Sequence, residues 1–317
     1  MKLAVLSDIH SNYVALQAVT EHVEAWGADV VVVAGDLVNR GPRPVECLNF
    51  VQEKQRMRGW QTLIGNHEEY VISNTRHSDT PSGVQFEMRR SSYWTYLKLN
   101  RDVSALQAWP FKIDLNAPDG SAIRLTHGSM RGTRTGVYWH TPDNELPALI
   151  GDPLPALFCI GHTHMPLIER SHGVLIVNAG SAGLPFDGDT RVSYAQMTLR
   201  HGQWDARIVR LKYDRAEAER DFTDSGFLDE GGPLARLMLT ELRTAHSQLF
   251  QWNAHYEEAL LAGNITMEDS VREFSSHNRD SRMYAMGRYI SYLPAPARRL
   301  IAVRLVSKRN WHATTSD

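Results

Sequence analysis

Cysteine is scarce in this chain, with only Cys47 and Cys159 among its 317 residues. Two thiols make no disulfide scaffold, so stability has to come from a buried apolar core, and both read as reduced core residues of a cytoplasmic protein. Long apolar runs are missing as well. Val30 to Ala34 has only the length of a strand, against the roughly 18 residues expected of a membrane-spanning helix. The chain enters Lys2-Leu3-Ala4-Val5-Leu6 directly, without a charged leader or a small-residue cleavage site, so neither export nor a membrane partner is expected. Charge of one sign is also lacking. A formal charge of -2 supplies no basic field for an extended nucleic acid, which leaves a small phosphorylated ligand as the better match. Internal repeats and low-complexity segments are absent.

What is present is alternation. Leu3 to Leu6 and Val30 to Ala34 read as buried strands around a helical stretch carrying Val14, Leu16, Val19 and Val23, a βαβ opening. A second helix from about Pro44 to Glu53 leads to a strand at Trp60 to Ile64. Residues 83 to 109 read as mainly helical, and strands follow around Phe111 to Leu115, Ile123 to Leu125, Ala156 to Ile160, Ile168, Val174 to Val177, Tyr194 to Leu199 and Ala206 to Leu211. Turns at Asp119-Gly120 and His201-Gly202 suit a second, partly antiparallel sheet packed on the first. After residue 214 the pattern turns helical, dividing the chain into a catalytic part, 1–214, and a helical extension, 215–317. A long amphipathic stripe, Leu234, Leu237, Met238, Leu242, Leu249, Trp252, Tyr256 and Leu260, is expected to dock on its own core, with a homo-oligomer contact as the alternative. Helical material continues through Met267 to Phe274 and Arg282 to Leu305.

Five short segments carry the chemistry: Asp8-Ile9-His10, Gly35-Asp36 through Arg40-Gly41, Gly65-Asn66-His67-Glu68, His127-Gly128 and Gly161-His162-Thr163-His164. Each follows an expected strand, and ligands of open α/β sheets gather beyond the carboxyl ends of strands. Asp8 and His10, two apart on an extended backbone, would face one side and share a cation. Asp36 offers a carboxylate able to bridge two cations, and Asn66 a neutral amide oxygen. Oxygen and imidazole donors without thiolate favour manganese, iron or zinc.

The five blocks, in this order, resemble the pattern of the calcineurin-like metallophosphoesterases, and the likeness runs over residues 1 to 211. It implies an α/β fold, a two-sheet mixed β-sandwich flanked by helices, here with a helical C-terminal extension. It also implies a hydrolase with two divalent metal ions, manganese being the first choice. Asp8, His10 and His164 would hold one ion and Asn66, His127 and His162 the other, with Asp36 between them. Asn66 and Arg40 would contact the substrate phosphate, Arg40 by bidentate pairing. His67 would protonate the leaving oxygen.

Two likenesses within the family diverge. Gly35-Asp36-Leu37-Val38-Asn39-Arg40-Gly41 is similar to the segment of phosphoprotein phosphatases and symmetrical diadenosine tetraphosphatases, but those carry Asp where this chain has Asn39. An amide there gives His67 no charge support. Ser7 through Leu16, with Asn178 to Pro185, is instead similar to compact bacterial and archaeal phosphoesterases. A small phosphoester or nucleotide is therefore the expected substrate, ahead of a phosphoprotein; a non-catalytic scaffold is the alternative of another class. Arg131, Arg134, Tyr138 and Trp139 could serve a nucleotide's phosphate and base, or simply fold back and pack. His22, His77, His140, His172 and His255 have no ligand spacing.

Overall fold

The continuous apolar runs become strands with both faces covered. In the computed structural model, which describes residues 1–76 and 82–279, the strands are β1 (Lys2–Leu6), β2 (Val30–Ala34), β3 (Gln61–Leu63), β4 (Lys112–Asn116), β5 (Ala122–Thr126), β6 (Leu157–Ile160), β7 (Leu167–Ser171), β8 (Val174–Asn178), β9 (Val192–Arg200) and β10 (Gln203–Leu211). They form two five-stranded sheets, ordered β10-β9-β1-β2-β3 and β4-β5-β6-β8-β7. The helices are α1 (Tyr13–Trp26), α2 (Pro44–Arg58), α3 (Asn66–Ser73), α4 (Val84–Lys98), α5 (Ser104–Gln107), α6 (Leu146–Ile150), α7 (Arg215–Asp224), α8 (Phe227–Glu230), α9 (Ala235–Thr244), α10 (Leu249–Leu261) and α11 (Met267–Arg279). The chain divides into two units, Met1–Val271 and Arg272–Asp317, and everything below concerns the first. His77 and the helical stretch expected at Arg282 to Leu305 lie outside the described residues.

Period-two alternation sorts each strand between two cores. Leu3 and Val5 of β1, Val32 and Ala34 of β2, and Leu157 and Cys159 of β6 fill the space between the sheets, with Leu63, Leu125, Val177, Ala195 and Met197. Ala4, Leu6, Val31 and Val33 face the other way, against α1 and α2, where they meet Leu16, Val19, Val23, Cys47 and Val51. On the far side Phe158, Ile160, Val174 and Ile176 are covered by Leu146, Leu149 and Ile150 of α6. Phe158 is wholly buried, and its truncation to Ala would cost about 3–5 kcal/mol. Cys47 and Cys159 are buried free thiols, and burial raises both above the ordinary thiol range.

Parallel pairing aims the important strand ends one way. β1, β2 and β3 run parallel, as do β5, β6 and β8, so in each sheet the loops after consecutive strands leave from one edge. Antiparallel β9 and β10 close the first sheet through the His201-Gly202 turn, both residues in the left-handed region.

The stripe after Gly231 is not one helix. It breaks at Ala245, which takes a left-handed φ of 53°, and α10 restarts four residues later because the Glu241 carboxylate accepts from the backbone N–H groups of Gln248 and Leu249. Leu237, Met238 and Leu242 of α9 and Trp252 and Leu260 of α10 are buried. Phe222 and Phe227 pack with Trp94 of α4, tying α7 and α8 to the body. Among the described residues no helix is long and apolar enough to cross a membrane.

Candidate metal centre

At the shared edge the backbone departs from ordinary geometry. Asp8, His10, Ser11, Asp36, Asn39, Arg40, His162 and His164 all have φ between 50° and 71°. Each non-glycine residue held there costs on the order of 1 kcal/mol, and such positions persist only where surrounding contacts over-determine them. The contacts are present. Asp8, His10 and Ser11 donate their N–H groups to the carbonyls of Gly35, Asp36 and Leu37, so the loops after β1 and β2 continue the sheet's pairing past the strands. Asp8 and His10 therefore converge through left-handed turns, not through the extended backbone their spacing suggested.

The side chains gather in two overlapping groups. Asp8, His10, Asp36 and His164 are buried and can each place a ligand atom within 4.8 Å of the others'. Nε2 of His10 lies 3.1 Å from Nε2 of His164, which is 3.2 Å from Oδ1 of Asp8. In the second group Oδ1 of Asn66 lies 3.0 Å from Nε2 of His127 and 2.9 Å from Nδ1 of His162. Oδ2 of Asp36 stands between them, 3.2 Å from Nε2 of His127 and 3.7 Å from Nε2 of His10.

Backbone carbonyls aim the rings. Nδ1–H of His127 donates to Ala34, that of His164 to Leu184 at 2.5 Å and that of His10 to Asn39 at 3.3 Å, which turns each Nε2 inward, with a lone pair on His10 and His164 and a proton toward Asp36 on His127. Two inward lone pairs at hydrogen-bond distance repel unless a proton or a cation lies between them. Asp8 Oδ1 is buried without a hydrogen-bond partner, a cost that a cation would remove. An oxygen and imidazole donor set with an orphaned carboxylate oxygen fits a divalent ion.

Electrostatics agree. Burial, reinforced by the neighbouring imidazoles, pushes His10 well below its ordinary value, and burial takes His162 down to about 4, so both rings are neutral at physiological pH. Burial raises the Asp8 and Asp36 carboxyls, but the surrounding imidazoles, His164 foremost at Asp8 and His127 at Asp36, together outweigh it, and both stay ionised. Burial also opposes protonation of His127, yet the Asp36 charge wins and raises it to about 10.

Glycines admit this crowding. A Cβ on Gly65 would lie 2.1 Å from Asp36 Oδ1, and one on Gly161 would lie 1.8 Å from the Ser7 hydroxyl. Glu68, which had no role in the sequence reading, is fully buried and accepts from the N–H groups of Asp36, Val38 and Gly65, fixing the loop after β2 to the start of α3. A carboxylate three residues after a helix start reads as a capping box, the signal that could have found it. Beyond β8, the Ser181 hydroxyl donates to the Asp8 carbonyl, and Asn178 donates to the Gly161 carbonyl, so the segment Asn178 to Pro185 braces both halves.

The remaining candidates sit at the rim. His67 stands edge-on to His10 with ring centroids 4.7 Å apart, and its Nδ1 accepts from the Asn39 amide at 3.0 Å. Arg40 N–H occupies the other end of that amide, Asn39 Oδ1, at 2.8 Å. Burial takes His67 down to about 3, against the pull of Asp36 and with the push of Arg40. Arg40 was expected to pair bidentately with the substrate phosphate. Instead Nε and Nη2 donate to Glu241 of α9 at 3.1 and 2.7 Å, and the guanidinium lies over the Phe186 ring. In the loop after β5, Arg134 lies over Tyr70 and pairs with Glu69 at 3.0 Å, and Tyr138 stacks on His140, while Trp139 remains 43% exposed.

Known proteins are similar to this chain. The family model described as calcineurin-like phosphoesterase superfamily domain matches residues 1–202. The chain is 25% identical over 235 residues to the uncharacterized protein MJ0912 of Methanocaldococcus jannaschii, covering 68% of this chain and 89% of that one. It is 25% identical over 189 residues to phosphodiesterase YfcE of Escherichia coli K12, covering 60% of this chain and 83% of that one. A crystal structure of a metallophosphoesterase from Sphaerobacter thermophilus superposes with a TM-score of 0.61 at 26% identity, covering 77% of this chain and 99% of that one.

Proposed function

Because this chain belongs to the calcineurin-like phosphoesterase superfamily and is a phosphoester hydrolase, we propose that it cleaves a small phosphoester, a nucleotide among the candidates, at a two-metal centre. The observation that carries the reading is the convergence of the orphaned Asp8 Oδ1 with the facing Nε2 atoms of His10 and His164, adjoining the Asn66, His127 and His162 group. Asp8, His10 and His164 would hold one ion, Asn66, His127 and His162 the other, and Asp36 both. Manganese is the first choice, with iron and zinc as alternatives, since the donors are oxygen and imidazole. Two such ions would supply Lewis-acid stabilisation of charge at phosphorus and acidify a water to near neutral pH.

The chain's own groups do the rest. The Asn39 amide donates to Nδ1 of His67, so the neutral ring carries its proton on Nε2, the nitrogen that would hydrogen-bond to the leaving oxygen, while full proton transfer would require the charged ring. Since Asn39 Oδ1 is held by the Arg40 N–H, the amide does not turn over to support an imidazolium. Proton donation is therefore weakest for leaving groups that need it most, and substrates with acidic leaving groups are favoured. A phosphopeptide, whose leaving alkoxide is strongly basic, suits this site less well.

The test is a panel of aryl phosphate, aryl phosphodiester, dinucleoside polyphosphate and phosphopeptide, assayed with manganese, iron or zinc and after chelation. Turnover of the small esters that chelation abolishes and metal restores is expected. No turnover of any member by metal-loaded protein would overturn the reading, and a preference for the phosphopeptide would replace the small substrate.

A further inference from the structure

The helical extension reaches the rim of the centre through one buried residue. Glu241 is fully buried on α9, where Leu237, Met238 and Leu242 make the apolar face, and a carboxylate on such a face requires partners. It has five hydrogen bonds. Oε1 accepts from Arg40 Nη2, from the Ser247 hydroxyl and from the N–H groups of Gln248 and Leu249, while Oε2 accepts from Arg40 Nε. The Arg40 side chain is only 10% exposed, so this is a fixed bidentate pair. Phe186 lies between that pair and the centre. Its ring stacks on His164 with centroids 4.1 Å apart and carries the Arg40 guanidinium at 5.0 Å.

We propose that Glu241 is a specificity-determining residue: by holding Arg40 it cancels the positive charge beside the metal edge and suits the site to a phosphorus carrying one negative charge, a phosphodiester, over a doubly charged monoester. A guanidinium with both nitrogens of one edge open would pair with two phosphate oxygens and reward the second charge. Here that edge is closed by a carboxylate. Arg134, whose charge acts on Asp36, is likewise balanced, by Glu69 at 3.0 Å. Arg40 and Arg134 are thus each matched by a carboxylate of this chain, and the discrimination arises from an element beyond the five sequence segments.

The inference rests on the phosphoester reading above, and the two fail differently. Steady-state kinetics on bis-para-nitrophenyl phosphate and para-nitrophenyl phosphate, which share a leaving group, give the diester to monoester ratio of kcat/KM. Wild type is expected to favour the diester. Glu241→Gln, which presents an amide N–H to Arg40 and so releases it, is expected to shift the ratio toward the monoester by about tenfold, the worth of one charge-assisted hydrogen bond, through KM. Binding of inorganic phosphate, measured by calorimetry on the same samples, should tighten by a similar factor of about ten. The double variant Arg40→Gln with Glu241→Gln should return the ratio to that of wild type. If Glu241→Gln does not give folded protein, Arg40→Gln decides, because its unmatched carboxylate must move the ratio further toward the diester. A wild type that favours the monoester, or variants that change both substrates equally, would overturn the proposal while leaving phosphoester hydrolysis intact. No metal-dependent turnover of either substrate would remove both.

Discussion

The buried groups proposed to hold metal and the rim groups are held by different means. His10, His127 and His164 are aimed by backbone carbonyls, whereas His67 and Arg40 are held by side chains, Asn39 and Glu241. A carbonyl is present whatever the residue, so the first set is fixed once the strands are in register. A side-chain partner changes with one substitution. The proposed ligand constellation is therefore rigidly specified by the fold, while the proposed protonation and charge selectivity at the rim would be open to tuning from distant positions.

If that contrast is right, variants in the first set should be far more damaging than variants of the second. Asp36→Asn removes the charge between the two groups and is expected to lower metal-dependent kcat/KM by ~10³-fold or more, since several kcal/mol of charge stabilisation depend on the metal pair. A variant of near wild-type activity with full metal content would break the comparison. His67→Ala comes next, with kcat down about 10²-fold on alkyl esters, as for loss of a general acid, and much less on nitrophenyl esters. Equal losses on both leaving groups would deny His67 that role.

A smaller effect concerns pH. In the metal-free protein Asp36 raises His127 from 6.5 to about 10, so the folded state holds a proton that the unfolded chain releases. Stability from this pair is fully present below 6.5 and is lost as pH rises through about 10. Thermal melts in chelator should fall across that window, and those of Asp36→Asn should fall less. Coincident pH profiles for the two proteins would contradict the pairing. The smallest change is expected from Asn39→Asp, which would accept from Nδ1–H of His67 and support its charged form, raising kcat on alkyl esters by about a few-fold and leaving nitrophenyl esters unchanged. No gain on alkyl esters would show that the amide is not what limits His67.

How much of this was legible beforehand follows the same division. The sheets were readable because each strand is a short run with alternate residues bound for different cores, and the candidate ligands because each stands just past such a run. The left-handed turns at Asp8 and His10 were not, since backbone φ at a polar residue leaves no mark on hydrophobic periodicity. Glu241 left a faint one. It occupies a buried position of an apolar helical face, and a charge there demands a partner, but nothing in the pattern says that the partner is Arg40, 201 positions away. Phe186 gave no signal at all, being one aromatic after Pro185 in a loop. The break in the stripe after Gly231 was hidden for a related reason: the apolar intervals continue across Ala245 while a side-chain carboxylate restarts the backbone.

The brace formed by Asn178 to Pro185 links two things usually considered apart. Its Ser181 hydroxyl grips the loop after β1 in one sheet, and its Leu184 carbonyl orients His164 from the other. Separation of the two sheets would disrupt both attachments and carry Asp8 away from His164. Chelating geometry in this protein is consequently a property of the closed sandwich, and a cation shared across the edge would act as a rivet between its halves.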